Sequence, residues 1–344
     1  MKSIFKRTII RKWLIAGMVC LIWTTMTFDQ CVFLDGDVVY DSTLTAGETA
    51  TFTVNMYINA KQDNIGTNDR LVLAILVPKS WNVAANTTIT YISSYYPGVV
   101  KTMSVIPASS APKNQPGMTW ADALKTHLGV GPNVVDEMEW VSFWSDDIYD
   151  VHNGDNQTAA ITVKIKVGPD DMRVKLGFLL NTSDDGLSWD DNNKYYDYKY
   201  TDCIDVVNGN TATYIDFCER QLNSFTPFSA TKNDITTVTF QGDVQANALD
   251  GASQIYLCAK AITNTLAEYA VTERTSKTQM INISPKIYSL TFWPASYFGI
   301  PDDEEIIRMD YYFSNGDGSL YVLQNSDSTP DDPDAWFSSF FTCN

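Results

Sequence analysis

Hydrophobic and polar residues alternate with a period of two along several stretches of the chain, which is the pattern of β-strands that bury one face. The stretch from Glu48 to Ile58 and the stretch from Ile161 to Val167 both follow it. The run from Leu71 to Val77 is apolar throughout, so it predicts a fully buried strand that ends at Pro78. We expect a further strand from Arg173 to Asn181.

One segment of the first half has the pattern of a helix. Thr119 is a candidate N-cap with Asp122 at the third helical position, apolar residues of the next turns share one face, and Gly129 is a stop signal. The remaining strands are separated by Gly, Pro and Asn turns. This spacing predicts an all-β fold of two β-sandwich, immunoglobulin-like domains in tandem, with one short helix inserted in the first.

The same patterns divide the chain into four parts. We expect a targeting segment at residues 1–31, an N-terminal β-sandwich at 32–218, a linker at 219–233 that contains no sustained period, and a C-terminal sandwich at 234–344.

The C-terminal part carries the most specific pattern. A strand from Ile287 to Trp293 ends at Pro294, because proline cannot donate to a ladder. An aromatic-bearing connection follows, and a second strand from Ile306 to Phe313 leads into the turn Asn315–Gly318, whose residues accept positive φ.

This block resembles a small β module of surface glycan-utilisation proteins of Bacteroidota, including starch-binding lipoproteins. It departs from that module at Ser314, where the module often has Arg before the Asn of the turn. The rest of the chain resembles a family of Bacteroidota envelope proteins. The resemblance implies a glycan-binding C-terminal domain on a surface lipoprotein. The matching residues are Phe292, Trp293, Pro294, Tyr297, Phe298, Gly299, Pro301, Asp302–Glu305, Tyr312, Phe313, Asn315, Asp317 and Gly318.

Charge narrows the choice of partner. The chain has 24 Lys and Arg against 41 Asp and Glu, a net charge of −17, and its first twelve residues hold Lys2, Lys6, Arg7, Arg11 and Lys12. A body this acidic repels phosphate backbones, so nucleic acid is excluded as a partner, and a neutral glycan is the expected one. Only two histidines are present. Histidine metal clusters and Ser-His-Asp catalysis are therefore not expected, and we predict a non-enzyme with no cofactor and no metal.

The N-terminus has the features of an export signal. A basic beginning is followed by a mostly apolar stretch from Trp13 to Thr27. Cys20 and Cys31 are the candidates for lipidation, although neither lies in a usual lipobox. We therefore expect an outer-membrane or cell-surface lipoprotein.

Four cysteines lie outside this segment: Cys203, Cys218, Cys258 and Cys343. Export permits disulfides, and three pairings are open. Cys203 with Cys218 is the most local pair, and the alternative is that several of them are reduced, buried thiols.

Aromatic residues are the candidates for glycan contact, because flat rings pack against the C–H faces of sugars. The first set is Trp293, Tyr297, Phe298 and Trp336, and the second is Trp189 and Tyr196 beside acidic residues. For the first set the alternative is a place in the core, and for the second it is an ordinary edge strand.

Two functions remain open on the sequence. The first is a non-catalytic envelope protein that holds a neutral oligo- or polysaccharide near components of an outer-membrane importer. The second is a structural or assembly protein of the envelope that binds another protein. An exposed row of aromatics would favour the first, and an apolar patch on a sheet edge would favour the second.

Overall fold

A computed structural model describes residues 32–60, 66–152, 154–188, 195–227 and 230–342. Strands make up 46% and helices 8% of the residues that the structure describes, so the fold is all-β, in tandem domains, as the alternation predicts.

The first domain is formed by residues 32–218 and has two main sheets. One has nine strands in the order β1-β3-β10-β6-β7-β8-β5-β12-β13, the other has the order β15-β11-β14-β2, and β4 pairs with β9 alone. Two helices, α1 (Val83–Asn86) and α2 (Trp120–Leu128), and a 3-10 turn (Lys79–Trp81) complete it. The strands are β1 (Val32–Leu34), β2 (Thr43–Thr45), β3 (Thr49–Asn59), β4 (Gly66–Asp69), β5 (Leu71–Pro78), β6 (Thr87–Ser93), β7 (Lys101–Val105), β8 (Met138–Ser145), β9 (Tyr149–Val151), β10 (Asn156–Lys166), β11 (Asp170–Val174), β12 (Gly177–Thr182), β13 (Asp197–Tyr200), β14 (Ile204–Val207) and β15 (Asn210–Asp216).

The alternation determines which side chains form the first core. Every second residue of β3 is buried, from Ala50 to Ile58, and all of β5 is buried between β8 and β12. The single strand expected from Arg173 to Asn181 is wrong. The chain changes sheet at Leu176, whose N–H donates to the Thr201 hydroxyl, so β11 and β12 belong to different sheets.

The nine-stranded sheet curls until its two edge strands lie side by side. The backbone N–H of Leu34 in β1 donates to the Asp197 carboxylate in β13 at 3.0 Å. Lys199 of β13 donates to the Gly36 carbonyl at 2.6 Å. These bonds satisfy groups that an open edge would expose, which removes a template for unwanted strand pairing.

The predicted helix is confirmed as α2. The Thr119 side chain accepts from the Asp122 N–H at 3.0 Å, and Gly129 follows the last turn with a φ of 58°. Trp120, Ala123 and Leu124 are buried in the first core. The helix is thus held by a local cap and by one apolar face.

The second domain begins with β16, within the segment that the sequence analysis assigned to a linker. β16 pairs with β17 and its Phe225 is buried in the second core. The connection between the two domains is therefore shorter than the predicted linker at residues 219–233. One sheet has the order β16-β17-β21-β20 and the other the order β19-β18-β22-β23, with β24 also pairing with β22. The elements are β16 (Asn223–Thr226), β17 (Thr236–Gln241), β18 (Tyr256–Thr263), β19 (Glu268–Val271), β20 (Ile281–Ser284), β21 (Ile287–Phe292), α3 (Pro294–Phe298), β22 (Ile306–Ser314), β23 (Tyr321–Val322), a 3-10 turn (Pro333–Ala335) and β24 (Phe337–Phe340).

A buried carboxylate anchors the turn after β12. Asp69 is 3% exposed and accepts from the N–H of Arg70, the hydroxyl of Ser183 and the N–H of Asp184. Asp185 of the same turn bonds the Thr182 hydroxyl at 2.9 Å. Burial raises the pKa of Asp69, and it raises the pKa of Asp185 to about 7. Desolvation therefore outweighs the hydrogen bonds at both carboxyls.

This turn predicts a pH-dependent stability. An unfolded aspartate titrates near 3.9, so between about pH 4 and 7 the native Asp185 binds more protons than the unfolded one, and stability falls as the pH rises through that window. Asp185→Asn should stabilise the protein at pH 8 by about 2 kcal/mol, roughly half of what the full shift corresponds to because the carboxylate is partly exposed. Thermal unfolding at pH 8 and pH 4 measures it.

The matched control is Asp184→Asn. Asp184 is a neighbour in the same turn, its side chain is 44% exposed, and it pairs with Lys113 at 3.2 Å. An Asp185→Asn variant whose gain is equal at both pH values would contradict the assignment.

Candidate functional site

The four aromatics of the first predicted set do not form one platform. Trp293 is 48% exposed, whereas Tyr297 is 6% and Phe298 is 7% exposed, and both belong to the second core. Tyr297 and Phe298 thus lie in the core and not at a solvent-facing platform, and Trp293 is the most exposed of the four aromatics.

The cause is the helical turn α3, which the sequence analysis treated as a plain connection. Pro294 occupies its first position, and Gly299 ends it with a left-handed φ of 71°. The turn directs Tyr297 back under the sheet, where its ring lies 4.3 Å from that of Phe292. Trp293 precedes the turn in extended conformation and stays outside.

The surroundings of the buried Tyr297 also indicate a structural role for this side chain. Its hydroxyl has no hydrogen-bond partner in the described part of the chain, and burial raises its pKa. The Lys277 ammonium lies 4.9 Å from the ring centroid and donates to the Tyr297 carbonyl at 2.5 Å. A neutral phenol under a cation–π contact is a packed side chain and offers no face to a ligand.

Trp336 is half-buried on the opposite sheet. Its ring lies 4.7 Å from that of Tyr312, and its indole N–H donates to the Pro330 carbonyl at 3.0 Å. Lys260 approaches it to 5.8 Å. These contacts close the segment after β23 and keep Trp336 apart from Trp293.

Only Tyr196 of the second predicted set lies in the described part of the chain, and it does not face solvent. Trp189 lies outside the described residues. Tyr196 is 3% exposed and, with Tyr198 and Tyr200, it packs against the first core.

The cysteines divide into two groups. Cys203 and Cys218 form a disulfide that joins the segments on either side of β14 and β15. Cys258 is a buried free thiol, so it is not a disulfide partner in this structure, and burial raises its pKa. Cys20, Cys31 and Cys343 lie outside the described residues.

The surface next to Trp293 is an uncharged sheet face, which we call the threonine face. It is the outer side of the sheet β16-β17-β21-β20, whose inner side buries Phe225, Val238, Phe240 and Phe292. Its members carry hydroxyl, amide or aliphatic side chains and are all at least partly exposed. They are Ser224, Thr226, Thr237, Thr239, Gln241, Ile281, Ile287, Ser289 and Thr291.

Register brings these side chains into rows. Thr237 lies opposite Thr291 and Thr239 opposite Ser289, and the hydroxyls of Thr237 and Thr291 are 2.7 Å apart. Ile235 and Trp293, the residues next to the paired ends Thr236 and Phe292, are 64% and 48% exposed. The face thus ends in an apolar pair that leads into rows of hydroxyls.

The electrostatic setting of this face is unusual for so acidic a chain. No Asp or Glu occurs between Arg274 and Ile300, a signal that the sequence analysis did not use. Lys286, at the turn into β21, is paired with Asp250 at 2.8 Å. The threonine face is therefore close to neutral in a protein of net charge −17.

One edge of the same sheet is open. All four residues of β20 are exposed, and Ile281 and Ile283 are 68% and 60% exposed. A register irregularity between Asn282 and Ser284 bends the strand. This edge is the apolar patch that a partner strand would recognise.

The described residues contain neither a metal-binding cluster nor a membrane-spanning helix. Within them, no three His, Cys, Asp or Glu side chains are grouped so as to hold a metal ion. Nor does any of their helices have the length and apolarity needed to cross a membrane.

Two family models match the chain. One, described as Domain of unknown function (DUF4961), matches residues 33–221, and another, described as Domain of unknown function (DUF8578), matches residues 223–322. Their junction falls where the first domain ends and β16 begins. No curated protein matches the chain in sequence.

Solved structures show only distant likeness. AvmM, which catalyses macrocyclization in alchivemycin A biosynthesis, is 12% identical over 52% of this chain and 94% of its own, with a TM-score of 0.28. The group B streptococcus pilus 2b backbone protein is 12% identical over 88% and 93%, with a TM-score of 0.23. The BSP domain of a biofilm associated protein is 9% identical over 92% and 53%, with a TM-score of 0.24. TM-scores this low indicate nothing about function, which is therefore inferred from the chain's own residues.

Because Tyr297 is buried and Trp293 is exposed, replacing each with alanine should lower the free energy of unfolding by different amounts. Tyr297→Ala should destabilise the protein by about 3–5 kcal/mol, because it empties a packed site. Trp293→Ala should change stability by less than about 1 kcal/mol, since its indole is half in solvent. Denaturant unfolding of both variants measures this, and equal costs would contradict the buried and exposed placements.

Proposed function

The chain belongs to the DUF4961 family, and we propose that it is an exported, non-catalytic surface protein that binds a neutral glycan on the threonine face of its second domain. The observation that carries the proposal is the exposed Trp293 at the end of an uncharged face in an otherwise acidic chain. The resemblance of the C-terminal block to modules of starch-binding lipoproteins supports the same ligand class.

The chemistry of the face suits a sugar chain. The indole of Trp293 and the side chain of Ile235 offer an apolar surface to the C–H face of a pyranose ring. The hydroxyls of Thr237, Ser289 and Thr291 donate and accept hydrogen bonds in rows along the strands. An extended glycan placed along these rows exchanges hydrogen bonds to water for hydrogen bonds to the sheet.

Charge favours a neutral ligand over a charged one. An anionic polymer would meet the field of a protein of net charge −17, and a cationic polymer would find no carboxylate on the threonine face. A neutral glycan loses little to either effect. Its affinity should be modest, on the order of micromolar to millimolar, because the face is open and offers one stacked ring.

Export is the setting of this proposal. The basic and apolar features of residues 1–31 support an N-terminal signal, with a lipid on Cys20 or Cys31 that would hold the protein at the outer membrane or cell surface. In that position the second domain would present a captured glycan to components of an outer-membrane importer.

The open edge of β20 favours a second candidate, which is an assembly role in the envelope. The exposed Ile281 and Ile283 and the unpaired backbone of β20 suit an extended segment of another protein, added as a further strand. In this function the threonine face would be a solvent-exposed surface without a ligand of its own.

The glycan-binding function predicts adsorption to a polysaccharide. Wild-type protein should adsorb to at least one insoluble α- or β-glucan, and Trp293→Ala should weaken adsorption at least tenfold, which is about 1.4 kcal/mol. Adsorption should change little with salt, because no ion pairs form. Leu266→Ala is the control, since Leu266 is 76% exposed in the turn between β18 and β19, which belong to the other sheet. Unchanged adsorption by Trp293→Ala would place the site elsewhere.

The second prediction concerns the edge. A photo-crosslinking residue at position 281 should give discrete adducts in cells if another protein pairs with β20. Ile283→Lys should abolish them, because a buried ammonium at a strand junction is costly. The same crosslinker at position 266 is the control. Adducts that survive Ile283→Lys would contradict docking at this edge.

A further inference from the structure

A groove of about 650 Å³ lies on the second domain beside the segment 219–223 that leads into it, and it adjoins the threonine face at Gln241, whose side chain is bound by Arg220 of the groove. Its sides are the segment 219–223, the loop 244–248 and the chain from Tyr321 to Ser326. Leu222, Val322 and Phe337 contribute apolar surface to it. Its volume lies within the roughly 300–1,000 Å³ that is usual for sites that hold small ligands.

The charged groups of the groove are neutralised by one another or by neighbours. The Arg220 guanidinium makes two hydrogen bonds of 2.9 Å to the Asp243 carboxylate and two more to the Gln241 side-chain carbonyl. Glu219 pairs with Arg173 at 3.3 Å. The lining therefore offers a ligand no unpaired charge, although the chain as a whole is strongly acidic.

The amides of the groove have two kinds of role. Asn223 donates to the Tyr311 hydroxyl at 2.7 Å, and Asn247 donates to the Gly242 and Gln245 carbonyls, so both hold the walls in place. Gln245 and Gln324 are exposed, and within the described residues their side-chain amides make no hydrogen bond. Each is thus free to donate and accept toward the groove.

We infer that this groove is a second glycan site, which binds a short neutral oligosaccharide or the end of a glycan chain. The inference rests on the proposed function and extends it to a ligand of different shape. Gln245 and Gln324 would take sugar hydroxyls, and the half-buried ring of Tyr321 would lie against a C–H face.

Shape distinguishes the two sites. The threonine face is the outer surface of a sheet and suits a long, extended chain, such as one at the surface of an insoluble glucan. The groove is concave and has room for a short oligosaccharide, whose rings it would partly enclose. A soluble short oligosaccharide should therefore prefer the groove.

The experiment compares two ligands with two variants of the full chain. Calorimetry measures binding of soluble malto- and cello-oligosaccharides, and sedimentation measures adsorption to insoluble glucan. The Gln245→Ala/Gln324→Ala double variant removes two exposed amides and should fold normally, which circular dichroism checks. It should lose oligosaccharide affinity at least tenfold and keep its adsorption to insoluble glucan. Trp293→Ala should lose adsorption and keep its affinity for oligosaccharide.

The two proposals fail in different ways. The groove assignment is overturned if the double variant binds oligosaccharide as tightly as wild type, or if a wild-type protein that adsorbs to glucan binds no oligosaccharide. The threonine-face proposal fails if wild type adsorbs to no glucan, or if Trp293→Ala adsorbs normally, whatever the oligosaccharides do.

Discussion

The inward packing of aromatic rings between the two sheets of the second domain determines which side chains reach solvent. Phe240 of β17 lies 4.8 Å from Phe313 of β22, centroid to centroid, and both are buried. Because side chains alternate along a strand, burial of Phe240 directs Thr239 and Gln241 outward. A slip of one residue would bring threonines into the core and aromatics to the surface, so the core and the threonine face are two results of one register.

Charge is distributed so that the candidate binding surfaces stay neutral. Glu219 of the groove is paired with Arg173, while Lys286 and Arg220, near the face and in the groove, are each bound to a carboxylate. Exposed ion pairs such as these contribute little to stability. Their larger effect is on recognition, because a paired charge attracts no ionic ligand. A strongly acidic protein can in this way stay soluble and still present surfaces suited to uncharged partners.

Local rules made much of the fold predictable. The alternation in β3 and the cap and stop signals of α2 act within a few residues, so the sequence alone indicates them. The turn α3 also had its signals, since Pro294 suits a first helical position and Gly299 suits a helix end. What could not be predicted is where the rings of Tyr297 and Phe298 point, because that depends on the space left beneath a sheet.

The groove and the open edge were beyond prediction for the same reason. The walls of the groove come from segments about 100 residues apart in the chain, residues 219–223 and 321–326, and no local pattern links them. The exposure of Ile281 depends on β20 being the last strand of its sheet, which strand order decides. By contrast, the absence of carboxylates between Arg274 and Ile300 is visible in the sequence and points to the threonine face.

The most direct test of the claim that the threonine face binds glycan is an NMR titration that follows the tryptophan indole N–H signals of the Gln245→Ala/Gln324→Ala variant, in which the groove does not contribute, as a long-chain soluble neutral glucan is added. The account predicts that the Trp293 signal shifts together with the backbone signals of Thr237, Ser289 and Thr291. The buried Trp81 and Trp140 should stay unchanged. Saturable glucan binding that leaves Trp293 and these neighbours unshifted would contradict it.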